Sequence, residues 1–208
     1  MNLNNLGSNF GFQSAPTSCD APTSPAEIIL YNNDYNSGSE PPTNWTQIGT
    51  YGTGTFTIDS NRGKLTKTSS PGFWVHDLSG SYDDYLFETD QLTSGRMNYI
   101  VRCSNYSNYI WVCESGYNWR YVVVTSGVVR INTTFPKGCR EYIPIPGTVG
   151  VEVTGTSPNI KIQMYVDGND WGSVSGIDAT NTNVDAGKFG YNFEVALGYV
   201  DNTKVYRR

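Results

Sequence analysis

Apolar and polar side chains alternate along this chain in short runs, and no stretch holds a 3.6-residue period for more than a turn or two. The clearest alternation runs from Thr148 to Thr154, with Val149, Val151 and Val153 on one side and Glu152 on the other. It recurs from Ile160 to Val166, with Ile160, Ile162, Met164 and Val166 inward and Lys161, Gln163 and Tyr165 outward. A period of two is the signature of a strand with one buried face. The segment from Arg96 to Val124 predicts three consecutive strands: Met97 to Cys103, Tyr109 to Cys113 and Trp119 to Val124. With the first turn centred on Tyr106, Val101 should face Trp111 and Tyr99 should face Cys113. That register groups Tyr99, Val101, Cys103, Tyr109, Trp111 and Cys113 on one face, and Asn98, Ile100, Arg102, Ile110, Val112 and Glu114 on the other. Neither face is fully polar, so this meander belongs inside a larger sheet.

Further strands are predicted at Glu27 to Tyr31, Trp45 to Thr50, Gly54 to Ile58, Lys64 to Thr68, Gly72 to Asp77 and Tyr85 to Leu92. Others follow at Val128 to Asn132, Gly172 to Val174, Lys188 to Phe193 and Glu194 to Tyr206. Turn chemistry separates them, with Asp59 to Gly63 reading as a hairpin turn and Asp167-Gly168 opening another. Phe135 to Pro146 holds prolines and mixed charges and reads as a crossing between sheets. The pattern predicts an all-β, two-layer antiparallel β-sandwich over residues 27–208. Residues 1–26, rich in Asn, Ser, Pro and Gly, lack periodicity and read as an extended N-terminal arm. Leu3, Leu6, Phe10 and Phe12 make that arm sticky enough to anchor on a partner.

Composition narrows the function. Only 16% of the 208 residues are charged and the formal net charge is -5, which argues against nucleic acid as a partner. No apolar run reaches the roughly 20 residues that span a bilayer, so no membrane partner is expected. The first residues show neither a basic n-region nor an apolar h-region, so synthesis in a cytoplasm without a secretory signal is expected. Of the four cysteines, Cys103 and Cys113 sit about 13 Å apart in the register above, beyond disulfide reach. Pairing of Cys139 with either stays open at this point. Zinc is disfavoured because no C-x-x-C occurs.

Three segments carry a family resemblance: the hairpin VGVEVTGTSPNIKIQMYVDG, the glycine-rich GKFGYNFEVALG, and the terminal strand GYVDNTKVY. FETD and YIVRCSNYSNYIWV upstream fit the same order. Over residues 28–206 the chain resembles the concanavalin A-like, or laminin G-like, jelly-roll superfamily. Modules of this type behind an arm without a signal peptide resemble bacteriophage virion proteins: tail fibres, receptor-binding tips and capsid decorations. The resemblance implies other virion proteins as partners through the arm, homo-oligomers, and residence on the virion.

Glucan-cleaving members of the superfamily use an E-x-D-x-E strand whose acids share one face. Here the strand is Glu88-Thr89-Asp90-Gln91-Leu92, and Leu92 replaces the third acid, so no catalytic residues are expected. His76 is the only histidine and reads as structural. The resemblance implies a structural calcium where first and last strands meet, with Asp34 and Asp201 as ligands beside Asn33. Sugar binding is the most natural reading, because sugars present C–H faces to aromatic rings. Candidate rings are Trp74, Tyr106, Tyr109, Trp111, Tyr117 and Trp119, with Arg102, Asn118 and Arg120 as polar partners. Tyr106, Tyr117 and Trp119 lie at or beside turns and are expected to be the most exposed. The expected function is a non-enzymatic virion protein contacting host cell-surface glycans or neighbouring subunits. A free carbohydrate-binding module is the first rival and a degenerate glycosidase-like enzyme the second.

Overall fold

A computed structural model of the chain describes residues 28–37, 42–48, 54–67, 72–76, 82–93, 97–115, 118–135, 146–178, 184–193 and 197–208. The predicted arm lies outside these residues. The described strands are β1 (Ile28–Asn33), β2 (Trp45–Gln47), β3 (Gly54–Ile58), β4 (Gly63–Lys67), β5 (Gly72–His76), β6 (Tyr85–Gln91), β7 (Met97–Asn105) and β8 (Asn108–Ser115). They continue as β9 (Asn118–Thr125), β10 (Val128–Thr134), β11 (Gly147–Thr154), β12 (Ile160–Val166), β13 (Asn169–Ile177), β14 (Lys188–Phe193) and β15 (Leu197–Arg207).

They form two antiparallel sheets. An eight-stranded sheet runs β13-β12-β11-β6-β15-β4-β3, with β1 also paired to β15. A seven-stranded sheet runs β10-β9-β8-β7-β14-β5-β2. This is the predicted two-layer jelly-roll sandwich. The alternating hairpin β11–β12 behaves as its pattern requires: Val149, Val151, Val153, Ile160, Ile162, Met164 and Val166 are all buried in the core. The Asp59–Arg62 turn joins β3 to β4 with positive φ at Ser60 and Asn61. That backbone matches the right-handed twist of the two strands.

An aromatic slab fills the space between the layers. Trp45 stacks on Tyr191 at 5.3 Å, Phe56 meets Trp45 edge-on at 4.9 Å, and Phe87 packs on Phe189 at 4.9 Å. His76 lies in the same slab, stacked on Phe189 at 5.1 Å. Several polar atoms inside the slab are paired across the layers. Tyr99 Oη donates to Gln91 Oε1 at 2.5 Å, and Tyr191 Oη donates to Thr89 Oγ1 at 3.0 Å and lies 2.7 Å from Thr203 Oγ1. Tyr85 Oη accepts the Arg102 backbone N–H at 2.7 Å.

The register of β7 on β8 differs from the expectation. Val101 faces Ile110 and Tyr99 faces Val112, because β7 bulges between Val101 and Asn105. Arg102 sits in that bulge with φ of 51°, a left-handed conformation. The expected register assumed a regular hairpin; the bulge slips it by one residue and exchanges the faces. Tyr99, Val101, Ile110 and Val112 therefore line the core, while Tyr109 and Trp111 join Phe73, Val75, Ile100 and Cys103 on the outside of the seven-stranded sheet. Gly187 permits the bulge: a Cβ there would stand 2.7 Å from the Arg102 and Cys103 carbonyl carbons. Gly190 permits β14 to approach β5, since its Cβ would press on the Trp74 carbonyl oxygen and lie 2.8 Å from Val75 Cα.

Burial pushes the hydroxyls of Tyr35, Tyr85 and Tyr191 well above the ordinary tyrosine range. A folded-state value above the unfolded one of about 10 means that this stabilisation is fully present below pH ~10. It is lost as pH rises through and beyond that range. Ultraviolet difference absorbance during alkaline titration should show these tyrosines ionising only together with loss of β-structure by circular dichroism. Ionisation of all tyrosines before unfolding would contradict the buried network.

Candidate functional site

The outward residues of the seven-stranded sheet form two rows across its strands. In one row Phe73 lies opposite Asn192, Asn192 opposite Asn98, Asn98 opposite Cys113, and Cys113 opposite Arg120. In the next, Val75 lies opposite Gly190, then Ile100, Trp111 and Val122. Cross-strand neighbours of this kind bring Cβ atoms to about 4.5–5.5 Å. Tyr109 bridges the rings: its centroid is 5.0 Å from that of Phe73 and 5.8 Å from that of Trp111. Tyr109, Trp111, Cys113 and Arg120 are half-buried and form the reachable part of this face, while Phe73, Val75, Ile100, Asn98 and Asn192 are buried.

Three polar atoms in this face are buried without a hydrogen-bond partner: Trp111 Nε1, Asn98 Nδ2 and Asn192 Oδ1. Asn98 and Asn192 stand directly opposite each other, 1% and 4% exposed, and do not satisfy one another. Each such group costs roughly 1–3 kcal/mol while unpaired. An aromatic platform beside unsatisfied amide and indole groups is what a sugar-recognising surface requires chemically: rings for C–H faces and amides for hydroxyls.

The predicted site residues divide. Trp74 and Trp119 are core residues, 8% and 5% exposed, and neither is a surface platform. Trp74 packs on Phe56 at 6.2 Å, and Trp119 packs on Tyr99 at 5.9 Å. The reason is strand parity: Trp119, Tyr121 and Val123 alternate inward on β9, which sends Arg120 outward. Tyr106 is 57% exposed at the tip of the β7–β8 hairpin. Tyr117 lies outside the described residues, as do Leu3, Leu6, Phe10 and Phe12 of the arm. Arg102 is fully buried, bonded through Nη2 to the Asp83 carbonyl oxygen and 3.3 Å from Asp84 Oδ1, so it serves no surface. Phe73, Asn98 and Asn192 were missed. The signal for the two asparagines was there: each interrupts an apolar strand, in MNYIV and GYNF, at a position where a β-branched residue is the norm.

The first and last strands do meet, as β1 on β15. Burial raises the Asp201 carboxyl above its ordinary value, followed by the nearby charges of Asp90 and Asp34. Several oxygens of this cluster accept local hydrogen bonds. Asp34 accepts from the Asn36 backbone and side-chain amides at 3.2 and 2.7 Å, and Asp90 accepts from Thr148 and Asn202 at 2.6 and 2.8 Å. Among the described residues no group of three or more His, Cys, Asp or Glu is placed to hold a metal ion.

Glu88 and Asp90 alternate with the core residues Phe87 and Thr89 on β6, and so project from the outside of the eight-stranded sheet. The acids and the aromatic face lie on opposite sides of the sandwich.

No protein-family model matches the chain and no curated protein does. Solved structures do. A protein of unknown function with a galectin-like fold from Bacillus subtilis aligns at TM-score 0.59 and 11% identity, over 86% of this chain and 96% of that one. A β-porphyranase from the human gut bacterium Bacteroides plebeius aligns at TM-score 0.57 and 11% identity, over 89% and 94%. The VIP36 exoplasmic/lumenal domain, in its Ca2+/Man3GlcNAc-bound form, aligns at TM-score 0.55 and 8% identity, over 88% and 90%. At these identities the likeness establishes the fold alone, a two-layer jelly-roll β-sandwich.

Cys103 and Cys113 are not joined to each other, and Cys139 lies outside the described residues. Cys103 is fully buried and its thiol is pushed up to about 12 by burial. Cys113 is half-buried in the outer row. Alkylation of the folded protein followed by peptide mass spectrometry should label Cys113 and spare Cys103. Equal labelling of both would mean that the β7 bulge and the face it creates are misplaced.

Proposed function

We propose that this domain is a non-catalytic carbohydrate-binding module, and that it holds glycan on the outer face of its seven-stranded sheet. The observation that carries the reading is the Phe73–Tyr109–Trp111 ridge with half-buried Arg120 on the same face. Half-buried Tyr109 and Trp111 offer ring faces to the C–H side of a sugar, and Arg120 can orient its polar groups. The neighbours of this fold include a protein bound to a mannose-containing glycan and an enzyme named for a polysaccharide, which supports the same reading.

Catalysis is disfavoured by geometry. A retaining glycosidase needs two carboxylates flanking the bond of a sugar that its aromatic residues hold. Here Leu92 stands where the third acid of the motif would be, and Glu88 and Asp90 face away from the ridge. Glycan-array binding should be lost, or weakened at least about ten-fold, in Trp111→Ala with circular dichroism unchanged. Tyr106→Ala, at the hairpin tip, should bind as the parent does. Undiminished binding by the Trp111 variant, or turnover of a bound glycan, would defeat the proposal.

The sequence resemblance supports a further step: residues 1–26 anchor the module to a bacteriophage particle through Leu3, Leu6, Phe10 and Phe12. Deleting residues 1–26 should release the protein from particles that carry the full chain. Retention of the shortened chain would reject the anchor, and absence of the full chain from purified particles would reject the virion setting.

A further inference from the structure

The outer face of the seven-stranded sheet carries the cations Arg120 and Lys188 and, among the described residues, no acid. Its unsatisfied atoms include two N–H donors, Asn98 Nδ2 and Trp111 Nε1, against one acceptor, Asn192 Oδ1. Arg120 adds a guanidinium to the same row as the two asparagines, one strand beyond Cys113. Lys188 lies opposite Cys103 on β14 and is close enough to pull the Cys103 thiol down against the effect of burial. Among the described residues that the register places on this face, none is Asp or Glu. The acids of the alternating strands instead project from the other sheet: Glu88, Asp90 and Glu152, with Asp201 beside them.

A neutral sugar hydroxyl both donates and accepts, so a face built for neutral sugars balances the two. A carboxylate or sulfate only accepts, and it does so most strongly from charged donors. We infer, on the basis of the glycan-binding reading above, that the bound glycan is anionic, bearing a carboxylate or sulfate group that Arg120 receives. Trp111 and its half-buried neighbour Tyr109 stack the sugar ring. A chain with net charge -5 repels polyanions at long range, so the local absence of acids on this face is what admits one.

The test measures binding of the full chain by titration calorimetry to oligogalacturonate, to a sulfated carrageenan oligosaccharide and to a neutral cello-oligosaccharide of similar length. One of the two anionic ligands should bind at least about ten-fold more tightly than the neutral one, with affinity falling as salt rises. Arg120→Ala should remove that preference, Arg120→Lys should restore part of it, and Trp111→Ala should weaken all binding. The anionic ligand should also shield Cys113 from alkylation. Preference for the carrageenan assigns sulfate, and preference for the galacturonate assigns carboxylate. Equal affinity for neutral and anionic glycans, with Trp111→Ala still damaging, would overturn the anionic inference and leave the glycan reading standing. Binding of no glycan by the folded parent would overturn both.

Discussion

Strand β6 holds the two layers in register. Its inward residues are two aromatics, Tyr85 and Phe87, followed by two polar residues, Thr89 and Gln91, and the polar groups meet partners on the opposite sheet or in their own. Tyr85 receives the Arg102 backbone N–H, Thr89 receives the Tyr191 hydroxyl, and Gln91 receives the Tyr99 hydroxyl. Phe87, between them, packs on Tyr99, Phe189 and Tyr191. Hydrophobic burial alone is non-directional and would let one sheet slide on the other. Three buried hydrogen bonds across the gap are directional, and breaking any of them strands a polar atom in an apolar interior at a cost of about 1–3 kcal/mol. The abundance of tyrosine, 15 of 208 residues, has a structural use in this core.

From that anchoring the outer face follows. Tyr99 must point inward to reach Gln91, and Tyr191 must point inward to reach Thr89. Strand parity then sends Asn98 and Ile100 outward from β7, and Gly190 and Asn192 outward from β14. Arg102, pinned through its backbone to Tyr85 and through its guanidinium to Asp83 and Asp84, absorbs the mismatch as a bulge. The bulge in turn decides that Trp111 leaves the core and Ile110 enters it. The platform and the core are thus two consequences of one set of contacts.

Much of this was legible in the chain and some was not. Alternation alone located nearly every strand, because period two over Val149–Val153 or Ile160–Val166 admits no other reading, and the glycine-rich GKFGYNF segment proved to be the strand next to β7. What alternation cannot show is a bulge. Arg102 carries no Gly-like signal for positive φ, and its conformation is imposed by tertiary contacts with Tyr85 and Gly187. The expected faces of β7 and β8 were therefore mismatched. Proximity to a turn was also a poor guide to exposure: Trp119 follows one, yet parity places it at 5% exposure among Tyr99 and the core valines. Glu88 and Asp90 were read correctly as neighbours on one side of a strand, but only the sheet order shows that side to be remote from the aromatic ridge.

The separation of the two outer faces bears on how such a fold divides its uses. A sandwich offers two solvent sides, and a polysaccharide-cleaving member must bring its acids and its aromatic platform to the same one. In this chain the side carrying Glu88 and Asp90 has spent its carboxylates on structure: Asp90 ties Thr148 of β11 to Asn202 of β15, and Glu152 holds both Tyr165 and Arg208. Acids committed to such bonds are held in place by several partners and are poorly suited to shuttle protons. The opposite side keeps the reverse pattern, with donors and rings left unsatisfied and no acid among the residues described there. Carboxylates that lock strands lie on one surface and half-buried rings on the other, which is the division the proposed binding role requires: an eight-stranded sheet that supports and a seven-stranded sheet that binds.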